Sequence, residues 1–492
     1  MDDKVIFARA MPAPVDVAVD GHFAGKLTDE LRLELQGWSA ISVAALGLAG
    51  LLALVLAVAR IPGVEKVLPF LNQAFFQRGL VAHVTFAFVV WYLAVQGALT
   101  VLVTGRLYVT AGAPMSLGGL VCGRFALGGV ATSFLLLLIP LVLGRGAATP
   151  NNYIPVMTDP LYYAGLGVLG LSLALPILRL LTALWRSRHA EPTTFGVACA
   201  GAIHLIALCC FALAWLRRPD GFDAEGLNDF LMWGGGHVLQ FANTTLFLCA
   251  LYLLSRVTLG ETPLSARMLK AMILLLLAGA AAGPLLYLTY QGGDPAQRLM
   301  FTNLYRFVLP APTAVVVFSV ITLLSRRWRD IWDGAPEVRG MAVALLLFAW
   351  GGAIGFFESS VDTRTPAHYH AMLIAVTLLF MALTFGVFLP VLDKRIERKC
   401  LRTTMYLTLG LGTLVQTVGL FIAGVFGVAR KTVGAAQGLD SLEKKISLIL
   451  NAGGGGVAVI GGVIFIVLAG KMLLAKPTRD AIAAPQTGAG PL

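Results

Sequence analysis

Residues 363–391 read "TRTPAHYHAMLIAVTLLFMALTFGVFLPV". From Ala371 onward the stretch is almost unbroken apolar sequence, longer than the roughly 20 residues that span a bilayer core. It shows no period-two alternation. In lipid every backbone N–H and C=O must be satisfied within the segment, so the run is a helix. Its mouth is unusual, because His368 and His370 stand two apart there. Ionisable side chains at membrane depth are costly and are functional candidates by default.

Similar runs recur outward in both directions. Twelve segments, with boundaries good to a few residues, lie at approximately 38–60, 79–104, 117–144, 160–186, 194–217, 229–255, 266–290, 300–325, 338–359, 363–391, 402–428 and 449–475. The fold class is therefore all-α, a polytopic membrane protein of twelve transmembrane helices. Residues 1–37 read as a cytoplasmic N-terminal segment with no cleavable signal, 38–475 as the membrane domain, and 476–492 as a disordered tail.

The composition agrees. Of 492 residues 58% are hydrophobic and 13% charged, which excludes a soluble enzyme. The net charge of +11 does not indicate nucleic acid, because the basic residues cluster in loops between apolar runs. Loops after even-numbered helices carry Arg186, Arg188, Arg256, Arg326, Arg327, Lys394, Arg395 and Arg398, while the loop at 217–229 also holds Asp220, Asp223, Glu225 and Asp229. This bias predicts both termini on the cytoplasmic side, and a bacterial inner membrane is the expected location. Six cysteines form no CxxC or CxxCH pattern, and all six are expected to be buried small apolar residues.

His83 lies near the start of helix 2, His237 near the start of helix 6, and His368 with His370 near the start of helix 10. All three helices are even-numbered and begin on the same side. The four imidazoles therefore share one depth, about one or two turns below the outer surface. Two residues along a helix turn about 200°, so His368 and His370 leave on nearly opposite faces and would serve two different metals. His204, alone in "GAIHLIAL", reads as hydrogen-bonded packing, and His22 and His189 as solvated.

With these residues in place, the chain resembles subunit I of the heme–copper oxidase superfamily over roughly 38–475. The resemblance implies two hemes. His83 and His370 would be the axial ligands of a low-spin heme, His368 the proximal ligand of a high-spin heme. His237, in "WGGGHVLQF", would ligate the second metal, copper or non-heme iron. Arg430 and Lys431, in "GVARKTVG", resemble the basic pair that holds heme propionates. An electron-donor subunit of cytochrome c type or cupredoxin type is expected at the outer face.

The departures from the family pattern bear on function. Helix 7 should supply an adjacent His-His pair, but "GPLLYLTYQGGDPAQRLMFT" places Leu286 and Tyr287 there. Tyr287, Gln240 and Glu358 are the remaining candidates for that chamber. Phe241 stands where one branch carries a redox tyrosine, Leu239 where many pumps carry a glutamate, and Val316 where a proton path carries a lysine. The leading expectation is a membrane heme oxidoreductase that passes electrons from a low-spin to a high-spin heme and reduces a small gas, NO rather than O2. A diheme electron-transfer or quinol-oxidising subunit without a binuclear centre is the second reading, and a heme-free transporter the third.

Overall fold

The computed structural model describes residues 27–59, 64–112, 115–149, 154–187, 190–357, 361–432 and 437–475. Twelve helices in this range are long and apolar enough to cross a membrane. They are α1 (Asp29–Ala59), α2 (Gln73–Ala111), α3 (Leu117–Val142), α4 (Pro160–Arg186), α5 (Pro192–Leu216) and α6 (Ala224–Leu259). The second half comprises α7 (Ala266–Thr289), α8 (Pro295–Arg326), α9 (Pro336–Gly355), α10 (Arg364–Val391), α11 (Lys399–Val425) and α12 (Leu442–Leu474). The apolar runs thus become helices one for one. A two-residue hairpin, β1 (Ala148–Thr149) against β2 (Val156–Met157), is the one sheet among the described residues.

Polar residues account for where the helices begin. Asp223 accepts from Gly226 N at 2.7 Å and opens α6 before its apolar stretch, and Ser441 caps α12 in the same way. Side-chain oxygens here satisfy N–H groups that a helix start leaves without partners. α1 begins at Asp29, nine residues before the apolar run suggested. Its polar first turns fold as helix because Glu34 is buried against Arg179 of α4, with two contacts of 2.8 and 2.6 Å. Arg179 also donates to Gly119 O at 2.9 Å. A charge pair taken out of water persists only when it is multiply hydrogen-bonded in this way.

The bundle has an inside and an outside. The apolar windows of α2 and α6 are each 89% buried and that of α10 is 83% buried, against 33% for α1, α3 and α7 and 28% for α12. The three helices that carry His83, His237, His368 and His370 are therefore the innermost. α11 and α12 pack backbone to backbone. A Cβ on Gly454 would stand 2.4 Å from Gln416 N, and one on Gly419 would stand 2.6 Å from Asn451 N. Of the glycine run at 453–456 only Gly454 is buried, whereas Gly453 and Gly456 meet nothing within 4 Å.

Three helices widen locally to π-type turns: Thr85–Val90 in α2, Leu304–Val308 in α8 and Thr384–Phe388 in α10. The cysteine expectation needs correction. Cys199, Cys210 and Cys249 are buried, but Cys209 and Cys400 are exposed and Cys122 is intermediate. A cysteine on the outer face of a bundle meets lipid, so its apolar character does not require burial within the protein.

Candidate functional site

His83, His237, His368 and His370 are held by one device. The Nδ1–H of His83 donates to Ala49 O of α1 at 2.9 Å, and that of His368 to Gly351 O of α9 at 2.8 Å. Within their own helices, His370 Nδ1 bonds Pro366 O at 2.7 Å and His237 Nδ1 bonds Trp233 O at 2.8 Å. A carbonyl can only accept, so each neutral ring carries its proton on Nδ1 and its lone pair on Nε2. This is the arrangement of a metal-ligating histidine, whose second nitrogen is oriented by a carbonyl.

His204 is built the other way. Its Nε2 lies 3.1 Å from Gly170 O, and its Nδ1 is buried without a partner. The packing reading of this residue fits that geometry.

α2 and α10 run in the same direction and are pinned together lower down. Tyr92 Oη donates to Leu373 O at 2.6 Å and the Tyr92 ring lies 5.2 Å from that of Phe380. Counting back from these two contacts at about 1.5 Å per residue puts His83 between about 1.5 and about 9 Å from the level of His370. His370 stacks on Tyr369 with ring centroids 4.9 Å apart. On the other face of α10, His368 needs Gly355. A Cβ there would stand 2.7 Å from His368 Nδ1, so only glycine leaves room for this ring to reach Gly351.

A strap from the α11–α12 loop closes over the mouth of α10. Thr363 N donates to Val428 O at 3.1 Å, Arg430 N to Val361 O at 3.3 Å, and Asp362 bridges Ala429. The strap brings Arg430 and Lys431 to the histidine-bearing end. Lys431 adopts φ 62°, a left-handed conformation unusual for a side-chain-bearing residue. Burial and the Arg430 guanidinium bring the Lys431 amine down to about 8, against an upward pull from Glu225 and Asp229. Two crowded cations at this position suit a ligand with carboxylates.

The surroundings of His237 are aromatic. Its ring centroid lies 4.7 Å from Trp233, 6.1 Å from Phe301 and 6.1 Å, edge-on, from Tyr305. Arg298 stacks over Trp233 at 3.6 Å and pairs with Asp229. Tyr287 is buried one turn away, its ring 5.4 Å from Phe301 and its hydroxyl close over Gly234. Gln240 faces a narrow gap towards α2 with Phe88, Tyr92 and Asn243. Glu358 falls outside the described residues.

The donor set decides what each place can hold. His83, His370 and His368 offer imidazoles oriented through Nδ1, with Nε2 as the ligand atom, the donor that heme iron takes, so these residues fit hemes. The His237 chamber does not fit a second metal. Among the described residues no group of three or more His, Cys, Asp or Glu converges anywhere. Copper asks for several imidazole or thiolate donors, and aromatic rings supply none. Sequence reasoning missed Gly355 and Tyr305. The four-residue spacing of Gly351 and Gly355 was a readable sign of close approach, whereas nothing in "TNLYRFV" singles out Tyr305.

Comparison with known proteins is consistent with this geometry. The family described as Cytochrome C and Quinol oxidase polypeptide I matches residues 37–473. An uncharacterized protein of Rickettsia prowazekii (strain Madrid E) is 23% identical over 501 residues, covering 89% of this chain and 95% of its own length. An uncharacterized protein of Aquifex aeolicus (strain VF5) is 25% identical over 350 residues, covering 71% and 83%. A solved heme–copper terminal oxidase dimer shares the fold at a TM-score of 0.72 and 18% identity, over 92% of this chain and 85% of that one.

Proposed function

The chain belongs to the cytochrome c and quinol oxidase polypeptide I family, and from that premise we propose that it is a two-heme membrane oxidoreductase that reduces a small gas, nitric oxide in preference to oxygen. One heme is held between His83 and His370 and the other by His368. The observation that carries the reading is the shared anchoring of the three imidazoles, each with Nδ1 on a carbonyl. When bound, the hemes supply one-electron redox chemistry and a coordination position for the gas. The heme-free transporter reading falls with the family.

The chain's own residues do the rest. His83 and His370 fix the ligand plane from α2 and α10, and Gly355 keeps His368 aimed at its face of α10. Arg430 and Lys431 neutralise the heme carboxylates at the outer end. Trp233, Phe301 and Tyr305 surround His237 with aromatic surface, which excludes bulk water and favours the passage of an uncharged diatomic over an ion. Coupling two NO to N2O and water takes two electrons and two protons, as many electrons as two hemes hold, whereas O2 reduced to water takes four. Phe241, Leu239 and Val316 leave the chamber and its approaches without the tyrosine, glutamate and lysine of oxygen-reducing pumps. Electrons arrive from a cytochrome c-type or cupredoxin-type subunit at the histidine-bearing end, which faces away from the cytoplasm of a bacterial inner membrane.

A second reading is favoured by one observation, that among the described residues no donor cluster forms at His237. In it the chain is a diheme electron-transfer or quinol-oxidising subunit that lacks a binuclear centre. A reduced-minus-oxidised spectrum with CO titration separates the two. The gas-reducing reading requires a low-spin heme and a CO-reactive heme in equal amounts. Two six-coordinate hemes with no CO-reactive fraction would leave only electron transfer.

A further inference from the structure

At the end of the bundle opposite the histidines, a cleft of about 440 Å3 opens between the starts of α9 and α11. Trp332, Asp333, Gly334, Arg339, Lys399, Cys400, Thr403 and Thr404 line it. Its size falls within the roughly 300–1,000 Å3 of small-ligand pockets. The heme reading uses none of these residues.

The charges in the cleft are unbalanced. Arg339 donates Nη1 to the Thr403 hydroxyl at 2.8 Å, and among the described residues neither Arg339 nor Lys399 has a carboxylate within 4 Å. The third cation nearby is already neutralised, since Arg402 pairs with buried Glu337 at 2.6 Å one layer deeper. Asp333, the one acidic lining residue, leaves an excess of positive charge. Lys399 and the Thr403 and Thr404 hydroxyls on the α11 wall, with Arg339 on the α9 wall, make a donor-rich pocket for a tetrahedral anion.

The position supplies the source of that anion. Trp328 and Trp332 are exposed at 57% and 61%, as amphipathic rings are at the headgroup level of a bilayer. The flanking loops carry Arg326, Arg329, Arg395 and Arg398, so this end is the basic end of the molecule. We propose that the cleft binds the phosphate headgroup of an anionic phospholipid, with Arg339 and Lys399 on the phosphate, Thr403 and Thr404 on its oxygens or glycerol hydroxyls, and Trp332 at the rim beside the acyl chains. The proposal is independent of which gas, if any, is reduced.

The test uses the full-length, heme-loaded protein, purified and stripped of lipid in neutral detergent. Thermal unfolding is followed as phosphatidylglycerol, phosphatidylcholine or inorganic phosphate is titrated. Phosphatidylglycerol raises Tm and phosphatidylcholine does not. In the double variant Arg339→Gln/Lys399→Gln the lipid concentration needed for half the shift rises tenfold or more, since each basic side chain contributes separately to anionic-lipid binding. The heme spectrum and the Tm in phosphatidylcholine stay unchanged, which shows that the variant folds. A control pair outside the cleft, Arg326→Gln/Arg329→Gln, removes the same charge and keeps the wild-type response. An equal loss in the control pair would reduce the effect to diffuse surface charge and overturn the site. A Tm shift with inorganic phosphate alone would overturn the lipid source and leave a free-anion site. An unaltered response in the double variant would overturn both.

Discussion

His370 and His237 are positioned by the same local construction and end in different company. Each places Nδ1 on the carbonyl four residues back in its own helix, at 2.7 and 2.8 Å. His370 stands on a helix pinned through Tyr92 to the one that carries His83. His237 stands among Trp233, Phe301 and Tyr305. The difference teaches that an oriented imidazole is not yet a metal site. Orientation is a property of one helix turn, whereas a coordination sphere needs donors converging from several elements.

The largest way to break this comparison is His370→Ala or His83→Ala. On the proposed reading either removes an axial ligand and is expected to abolish the low-spin absorption entirely, while His204→Ala, with the opposite ring orientation, leaves the spectrum intact. Next comes His368→Ala, which should take the CO-reactive fraction to near zero and keep the low-spin signal. If both signals vanish together, the two faces of α10 are not independent sites.

Gly355→Ala gives an intermediate effect. The new methyl group would sit 2.7 Å from His368 Nδ1, so the ring must leave Gly351. Overpacking of this kind costs roughly 1–3 kcal/mol. The expected readout is a shifted CO band with the low-spin spectrum unmoved.

A smaller change is expected at Lys431, whose amine lies at about 8 against an ordinary 10.5. Between those values the unfolded chain binds more protons than the folded one. The lysine's contribution to stability therefore rises with pH across that window. A heme carboxylate beside it would favour the charged form and reverse the shift. Acylation followed by mass spectrometry should show half-labelling of Lys431 near pH 8 in heme-free protein and at higher pH once heme is loaded. Identical profiles would separate Lys431 from the cofactor.

The smallest expected effect makes the sharpest distinction. His237→Ala should leave copper and non-heme iron per polypeptide where they were, at background. A metal that disappears with His237 would mean that the chamber recruits donors from residues outside the described range, Glu358 foremost.

Much of this architecture was legible in the sequence because lipid imposes one simple rule. Backbone groups without water must pair internally, so apolar runs translate directly into helices. That the four histidines fall in the N-terminal halves of α2, α6 and α10 was equally readable, since position along a helix follows from counting residues. Lateral position was not. Nothing in the sequence states that Tyr287 tucks over Gly234, that Tyr305 meets His237 edge-on, or that α1 extends to Asp29 because Glu34 finds Arg179. These depend on rotation about helix axes and on partners that are distant in the sequence, 145 residues apart for Glu34 and Arg179. The cysteines failed for a related reason, since apolar character alone does not separate the protein interior from the lipid face.

The π-type turn at Thr85–Val90 has a consequence for the inheritance of such a site. Each such turn holds one residue more than α-helical winding would, and so turns everything beyond it by about 100°. His83 lies on one side of the turn, and Trp91 and Tyr92, which pack into the bundle, on the other. The two halves of α2 thus have separate angular settings joined by a single-residue spacer. A deletion anywhere in 85–90 would leave composition and hydropathy almost untouched and still swing the imidazole away from its partner. Relatives that share these histidines would need to be aligned with a one-residue gap at this turn, wherever the extra residue is absent.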